Sequence, residues 1–77
     1  MRATDQEQAF VICIHNAAYT AALELRKVYQ VIPDAQAAQQ ELLRVIDESG
    51  EDYLYPKGYF IPVTFPASVQ KAILQAA

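Results

Sequence analysis

Leu42-Leu43-Arg44-Val45-Ile46-Asp47, then Glu48-Ser49-Gly50-Glu51, then Asp52-Tyr53-Leu54-Tyr55-Pro56, is the stretch that decides the fold. Runs rich in β-branched and aromatic residues flank a short polar segment, the pattern of a β-hairpin. The strands are expected over Leu42–Asp47 and Tyr53–Tyr55, with Glu48–Glu51 as the turn. Gly50 is one of only two glycines. It stands where a tight connection needs a positive φ, a conformation that costs glycine little and other residues more.

Working outward, Pro56-Lys57-Gly58 ends the second strand, and Tyr59-Phe60-Ile61-Pro62-Val63 reads as another. Pro62 donates no ladder hydrogen bond, which puts that strand at an edge or gives it a kink. Pro66 suits the first turn of a helix. Val69, Ala72, Ile73 and Ala76 then recur at helical spacing on one face, so a short C-terminal helix is expected to lie across the sheet. Toward the N-terminus, Pro33-Asp34 is punctuation, with Asp34 a capping residue for a short helical insert near residues 34–41. Phe10–His15 reads as a strand with both faces at least partly covered, and Lys27–Ile32 as an extended segment. Between them, Ala17, Ala18, Ala21, Ala22 and Leu25 give residues 16–26 a helical propensity. Residues 1–8 are polar and expected to be frayed.

Composition bounds what such a chain does. Seventy-seven residues with 53% hydrophobic content make one small domain, residues 9–77, with a core. Nine acids against six bases give a net charge of −3, which argues against a nucleic-acid partner, since that affinity comes largely from neutralised phosphates. One cysteine forms no internal disulfide, and a cytoplasmic location is the expectation. The acidic flank and six apolar residues of the N-terminal stretch do not make a secretory signal, and no run approaches a membrane span.

The segments Leu23-Glu24-Leu25-Arg26-Lys27-Val28-Tyr29, Val31-Ile32-Pro33-Asp34 and Leu43 to Pro56 are similar to a group of small uncharacterised bacterial proteins. These carry a Lys-x-Tyr strand, a hairpin of the Leu-Arg-Val-Ile-Asp-Glu-Ser-Gly-Glu-Asp-Tyr-Leu-Tyr-Pro type and a following Tyr-Pro-x-x-x-Phe segment, here Tyr55, Pro56 and Phe60. The likeness covers roughly residues 10 to 65 and implies a small five-stranded barrel resembling the Src-homology-3 type, mainly β, with no activity attached. It also implies that residues 16–26 form a long irregular loop between the first two strands. This chain departs from the pattern at Ala18-Tyr19, where the group has Gly-Tyr, and at Gln40-Glu41, where it has a glycine before the Leu-Arg-Val-Ile strand. The Ala-Leu-Tyr-Asp-Tyr run and the tryptophan of proline-peptide-binding barrels are absent, so that function is not carried over.

Three groups of residues invite a chemical reading. Asp47, Glu48, Glu51 and Asp52 crowd one turn, but calcium binding needs about six oxygens at another spacing, and a solvated turn neutralised by Arg44 or Lys57 is the plainer reading. Cys13 and His15 share a face if both lie on a strand, a thiol beside an imidazole. No third orienting group is marked, so a buried cysteine and a rim histidine are expected instead. Two potential Cys or His ligands are too few for structural zinc. The third group is aromatic: Tyr53, Tyr55, Tyr59 and Phe60 are expected to build a shallow face that grips a protein or peptide. The chain is therefore expected to be a non-catalytic protein-interaction module without cofactor, metal, nucleic-acid or membrane partner. The alternative is a structural subunit of a homo-oligomer, a homodimer with Ile73 and Leu74 at its contact.

Overall fold

A computed structural model describes residues 9–76; the expected frayed segment 1–8 lies outside them. The chain forms strands β1 (Ala9–Cys13) and β2 (Val28–Ile32), helix α1 (Ala35–Gln39), strands β3 (Leu42–Ile46), β4 (Asp52–Pro56) and β5 (Phe60–Val63), and helix α2 (Ala67–Gln75). A single 3-10 turn, Lys57–Tyr59, joins β4 to β5. All strands lie in one antiparallel sheet of order β4-β3-β2-β1-β5. The expected mainly β fold of five strands is present, with α1 inside the stretch expected for the helical insert. The sheet is not closed: β4 and β5 are its two edges. Pro62 accordingly sits on an edge strand, paired with Val11 on one side only.

Side chains alternate across the sheet. Val11 and Cys13 of β1, Tyr29 and Val31 of β2, Val45 of β3, Tyr55 of β4 and Phe60 of β5 form the buried cluster, with Leu43 packed against it. Registers Val11↔Tyr29, Val31↔Val45, Leu43↔Tyr55 and Cys13↔Phe60 put these side chains shoulder to shoulder. β1 ends at Cys13, two residues before the sequence suggests, and His15 is exposed. In the β3–β4 turn, Gly50 has φ +85°. Its N–H donates to the Asp47 carbonyl at 2.9 Å.

Residues 16–26 form turns and irregular backbone rather than the helix their alanines favour. Long-range contacts outweigh propensity here. Leu23 is fully buried in the core cluster, and the Asn16 side-chain amide donates to its carbonyl at 2.8 Å. Arg26 takes φ 65° so that its N–H reaches the Cys13 carbonyl at 2.7 Å. Asp34 caps α1 as expected, accepting from the Ala37 N–H at 3.0 Å. After α1, Glu41 takes φ 61°.

The expectation that the C-terminal helix covers the sheet is not met: α2 buries no residue. Phe65, just before it, does the covering, packing edge-on against Phe10 at 5.7 Å between ring centres. Among the described residues no helix is long and apolar enough to cross a membrane.

Candidate functional site

Lys27-Val28-Tyr29 brings the long loop and the acidic hairpin together. Tyr29 faces inward on β2, and its hydroxyl emerges between the two segments. There it accepts from the Glu24 N–H at 2.8 Å and donates to the Glu48 carboxylate at 2.5 Å. Lys27 Nζ reaches the same Glu48 oxygen at 2.6 Å. The Glu48 N–H donates to the Ala22 carbonyl at 3.0 Å. Loop and hairpin are thus tied by backbone, hydroxyl and ion pair at one point.

Beside that tie lies an open groove of about 590 Å³. Tyr19 and Ala21 of the loop form one wall, and Tyr53 and Leu54 of β4 the other, with Asp47 and Ser49 at the turn. The walls are apolar and exposed: Tyr53 is 50% exposed and Tyr19 39%. Tyr19 stands edge-on to Tyr55 at 5.0 Å, which fixes the ring in place. A groove of this kind, with rigid aromatic walls and few polar groups, suits a row of side chains from a ligand.

The four carboxylates of the turn diverge. Asp52 pairs with Arg44 at 3.0 Å, and Arg44 also holds Asp34 at 2.8 Å. Glu48 pairs with Lys27, a partner that spacing alone did not suggest. Glu51 accepts from the Tyr53 hydroxyl at 3.0 Å. Asp47 turns inward and is only 6% exposed. It accepts from the Tyr55 hydroxyl at 2.5 Å, the Ser49 hydroxyl at 2.6 Å and the Ser49 N–H at 2.8 Å. Among the described residues, Asp47 and Glu51 have no cationic partner; Asp47 lines the groove but is buried, and Glu51 lies beside the lining, held by the Tyr53 hydroxyl.

These contacts shift the groups' acidities. Burial pushes Asp47 up, but the Ser49 and Tyr55 donors outweigh it and hold the carboxyl below its ordinary value. Lys27 and the Tyr29 hydroxyl hold Glu48 down, while Glu48 holds the Lys27 ammonium up. Burial, reinforced by a carboxylate acceptor in each case, pushes the phenols of Tyr29 and Tyr55 well above the usual tyrosine range.

Of the four aromatic residues singled out in the sequence, Tyr53 and Tyr55 line the groove and Tyr59 and Phe60 do not. Tyr55 is 4% exposed and forms the floor rather than a wall. Phe60 belongs to the core, and Tyr59 is half-buried with its ring against His15 at 4.7 Å. The expected single face made of all four is therefore corrected: the hairpin runs beyond the core, so Tyr53 emerges while Tyr55, two residues on, is covered. Tyr19 was missed. A lone aromatic residue in an alanine-rich loop was its only signal. Cys13 is fully buried, with its thiol directed at the His15 carbonyl at 3.4 Å, while the exposed imidazole lies tilted against the Tyr59 ring. The thiol and the ring do not face each other. Comparison with protein-family models, curated proteins and solved structures finds no match, so the chemistry of the groove is the ground on which function is read.

Proposed function

We propose that this chain is a non-catalytic peptide-binding module, and that its groove takes a short segment carrying an apolar side chain next to a cationic one. The observation that carries this reading is the exposed Tyr19–Tyr53 groove, with the Glu51 carboxylate beside it on the Tyr53 hydroxyl and without a cationic partner among the described residues. Because Tyr29, Lys27 and Glu48 already tie its two walls together, little ordering is left for a ligand to impose. Aromatic rings supply contact area at low entropic cost, and the Glu51 carboxylate beside Tyr53 favours lysine or arginine at the edge of the bound segment.

The scaffold fits the small-barrel reading. A long first loop, a second loop carrying α1, a tight hairpin and a 3-10 turn joining the edge strands occur in that order, and the Tyr55 and Phe60 rings approach to 6.3 Å across the β4–β5 junction. A five-stranded antiparallel sheet with this order of connections resembles a Src-homology-3-type barrel.

The test is a library of short peptides pairing lysine or arginine with aliphatic or aromatic residues, screened against the full chain. Binding in the micromolar range is expected, weakened at least tenfold by Tyr53→Ala and weakened again by raised salt. No binder at millimolar peptide, or binders indifferent to Tyr53→Ala, would refute the groove as the site.

A further inference from the structure

The two edges of the sheet differ in what their backbones offer. The Asp47 N–H donates to the Glu51 carbonyl at 3.1 Å, and the Lys57 N–H to the Glu41 carbonyl at 2.9 Å. Together with the β3–β4 register, these two bonds fix the phase of the ladder: Tyr53 and Tyr55 bond to β3, while Asp52 and Leu54 turn their N–H and C=O groups outward. Among the described residues nothing takes those outward groups.

On β5 the same phase argument gives the opposite result. The Ile14 N–H donates to the Tyr59 carbonyl at 2.8 Å, so Ile61 bonds to Ile12 of β1, and Phe60 and Pro62 face outward. The Phe60 N–H is already taken by the Lys57 carbonyl, and Pro62 has none. β5 therefore offers no free donor to a further strand, the usual protection of a sheet edge. β4 lacks that protection over residues 52–54.

The groove lies along this open stretch. Tyr53 and Tyr55 project to the core face of the sheet and Leu54 to the other, yet all three line the groove, which places it at the edge of the strand. We infer that the peptide bound there is an extended segment that adds to β4 as a further strand. Its backbone exchanges hydrogen bonds with Leu54 and Asp52, and its alternate side chains fall against the Tyr19–Tyr53 walls. The inference rests on the groove being a peptide site and narrows what it takes. Apolar residues of the ligand are spaced two apart, the period of a strand, with no proline at a pairing position. A helical ligand, whose backbone groups are already paired, gains nothing from Leu54.

The tightest library peptide, methylated at one backbone nitrogen at a time, tests this against the full chain. Methylation of each amide that points to β4 should weaken binding by about tenfold or more, since it removes the donor and sets a methyl group in the way of the ladder. The intervening amides should tolerate it, so sensitivity alternates along the peptide. Leu54→Pro removes the outward donor as Pro62 does on β5 and breaks no existing ladder bond. It should keep the parent's circular dichroism spectrum and weaken binding more than Leu54→Ala, which retains the N–H. In the parent, hydrogen exchange at the Leu54 amide should slow by about tenfold or more in the complex. A peptide weakened by Tyr53→Ala but indifferent to methylation at every nitrogen, with Leu54 exchanging as in the free chain, overturns strand addition and leaves the groove a peptide site. No binder at millimolar peptide overturns both.

Discussion

Tyr55→Phe removes one oxygen atom from the floor of the groove, and its cost follows from where that oxygen points. The hydroxyl donates to Asp47, a carboxylate only 6% exposed, at 2.5 Å. Phenylalanine fills the same space, so no cavity opens and the loss is that of one hydrogen bond to a charged, desolvated acceptor. Such bonds contribute about 1.5–3 kcal/mol. In a domain this small each kcal/mol moves Tm by roughly 4–8 °C, and the midpoint should fall by roughly 6–24 °C. Thermal unfolding measures the midpoint, and urea unfolding followed by far-ultraviolet circular dichroism measures the free-energy loss, with an unchanged slope showing that the two states compared are the same. Tyr53→Phe is the control. Its hydroxyl meets Glu51 at the surface, and its midpoint should match the parent. The pH dependence has a definite sign. Asp47 sits below its unfolded value of about 3.9, so its stabilisation is present above that pH and disappears as pH falls through the lower folded value. The gap between parent and Tyr55→Phe should close over that acid range. A Tyr55→Phe variant as stable as Tyr53→Phe at pH 7 would refute the view that the Asp47–Tyr55 bond pins the hairpin.

Leu23→Ala should cost about 2–5 kcal/mol, close to the whole stability of a domain this size, because that fully buried side chain is what draws the long loop into the core; chemical denaturation reads the loss. Glu41→Gly should raise the unfolding midpoint, since φ 61° strains a residue with a Cβ by roughly 1 kcal/mol; an unchanged or lower midpoint would contradict it. At alkaline pH, the raised phenols of Tyr29 and Tyr55 mean that their contribution is intact below the unfolded tyrosine value of about 10 and is lost as pH rises beyond it. Absorbance of tyrosinate should accordingly show a late phase coincident with unfolding, and Tyr29→Phe should diminish that phase.

The parts of the fold that were legible in the sequence rest on local chemistry. Gly50, Pro62 and Asp34 each announce a backbone requirement, and each occupies the position it implies. Residues 16–26 were not legible from composition, because one buried leucine and one long-range backbone bond from Arg26 overrule five helix-favouring residues. The irregular loop expected there as the alternative to a helix is what the chain forms, and Glu41 stands in the left-handed conformation just before β3. For the site, strand alternation put Tyr53 and Tyr55 on one face, but periodicity does not say where along a strand the core ends. That limit also explains the misplacement of Phe60. The inward turn of Asp47 depends on Ser49 and Tyr55 together, a pairing that no count of acidic residues reveals.

The groove is tested most directly by titrating the uniformly nitrogen-15-labelled full chain with the tightest lysine- or arginine-containing library peptide and following its amide spectrum. Shifts concentrated at Tyr19, Ala21, Ser49, Tyr53 and Leu54 are expected, with Ile12, Val28 and Ile61 unmoved. Shifts centred on the outer sheet face, or none at saturating peptide, would contradict a binding site between the long loop and the hairpin.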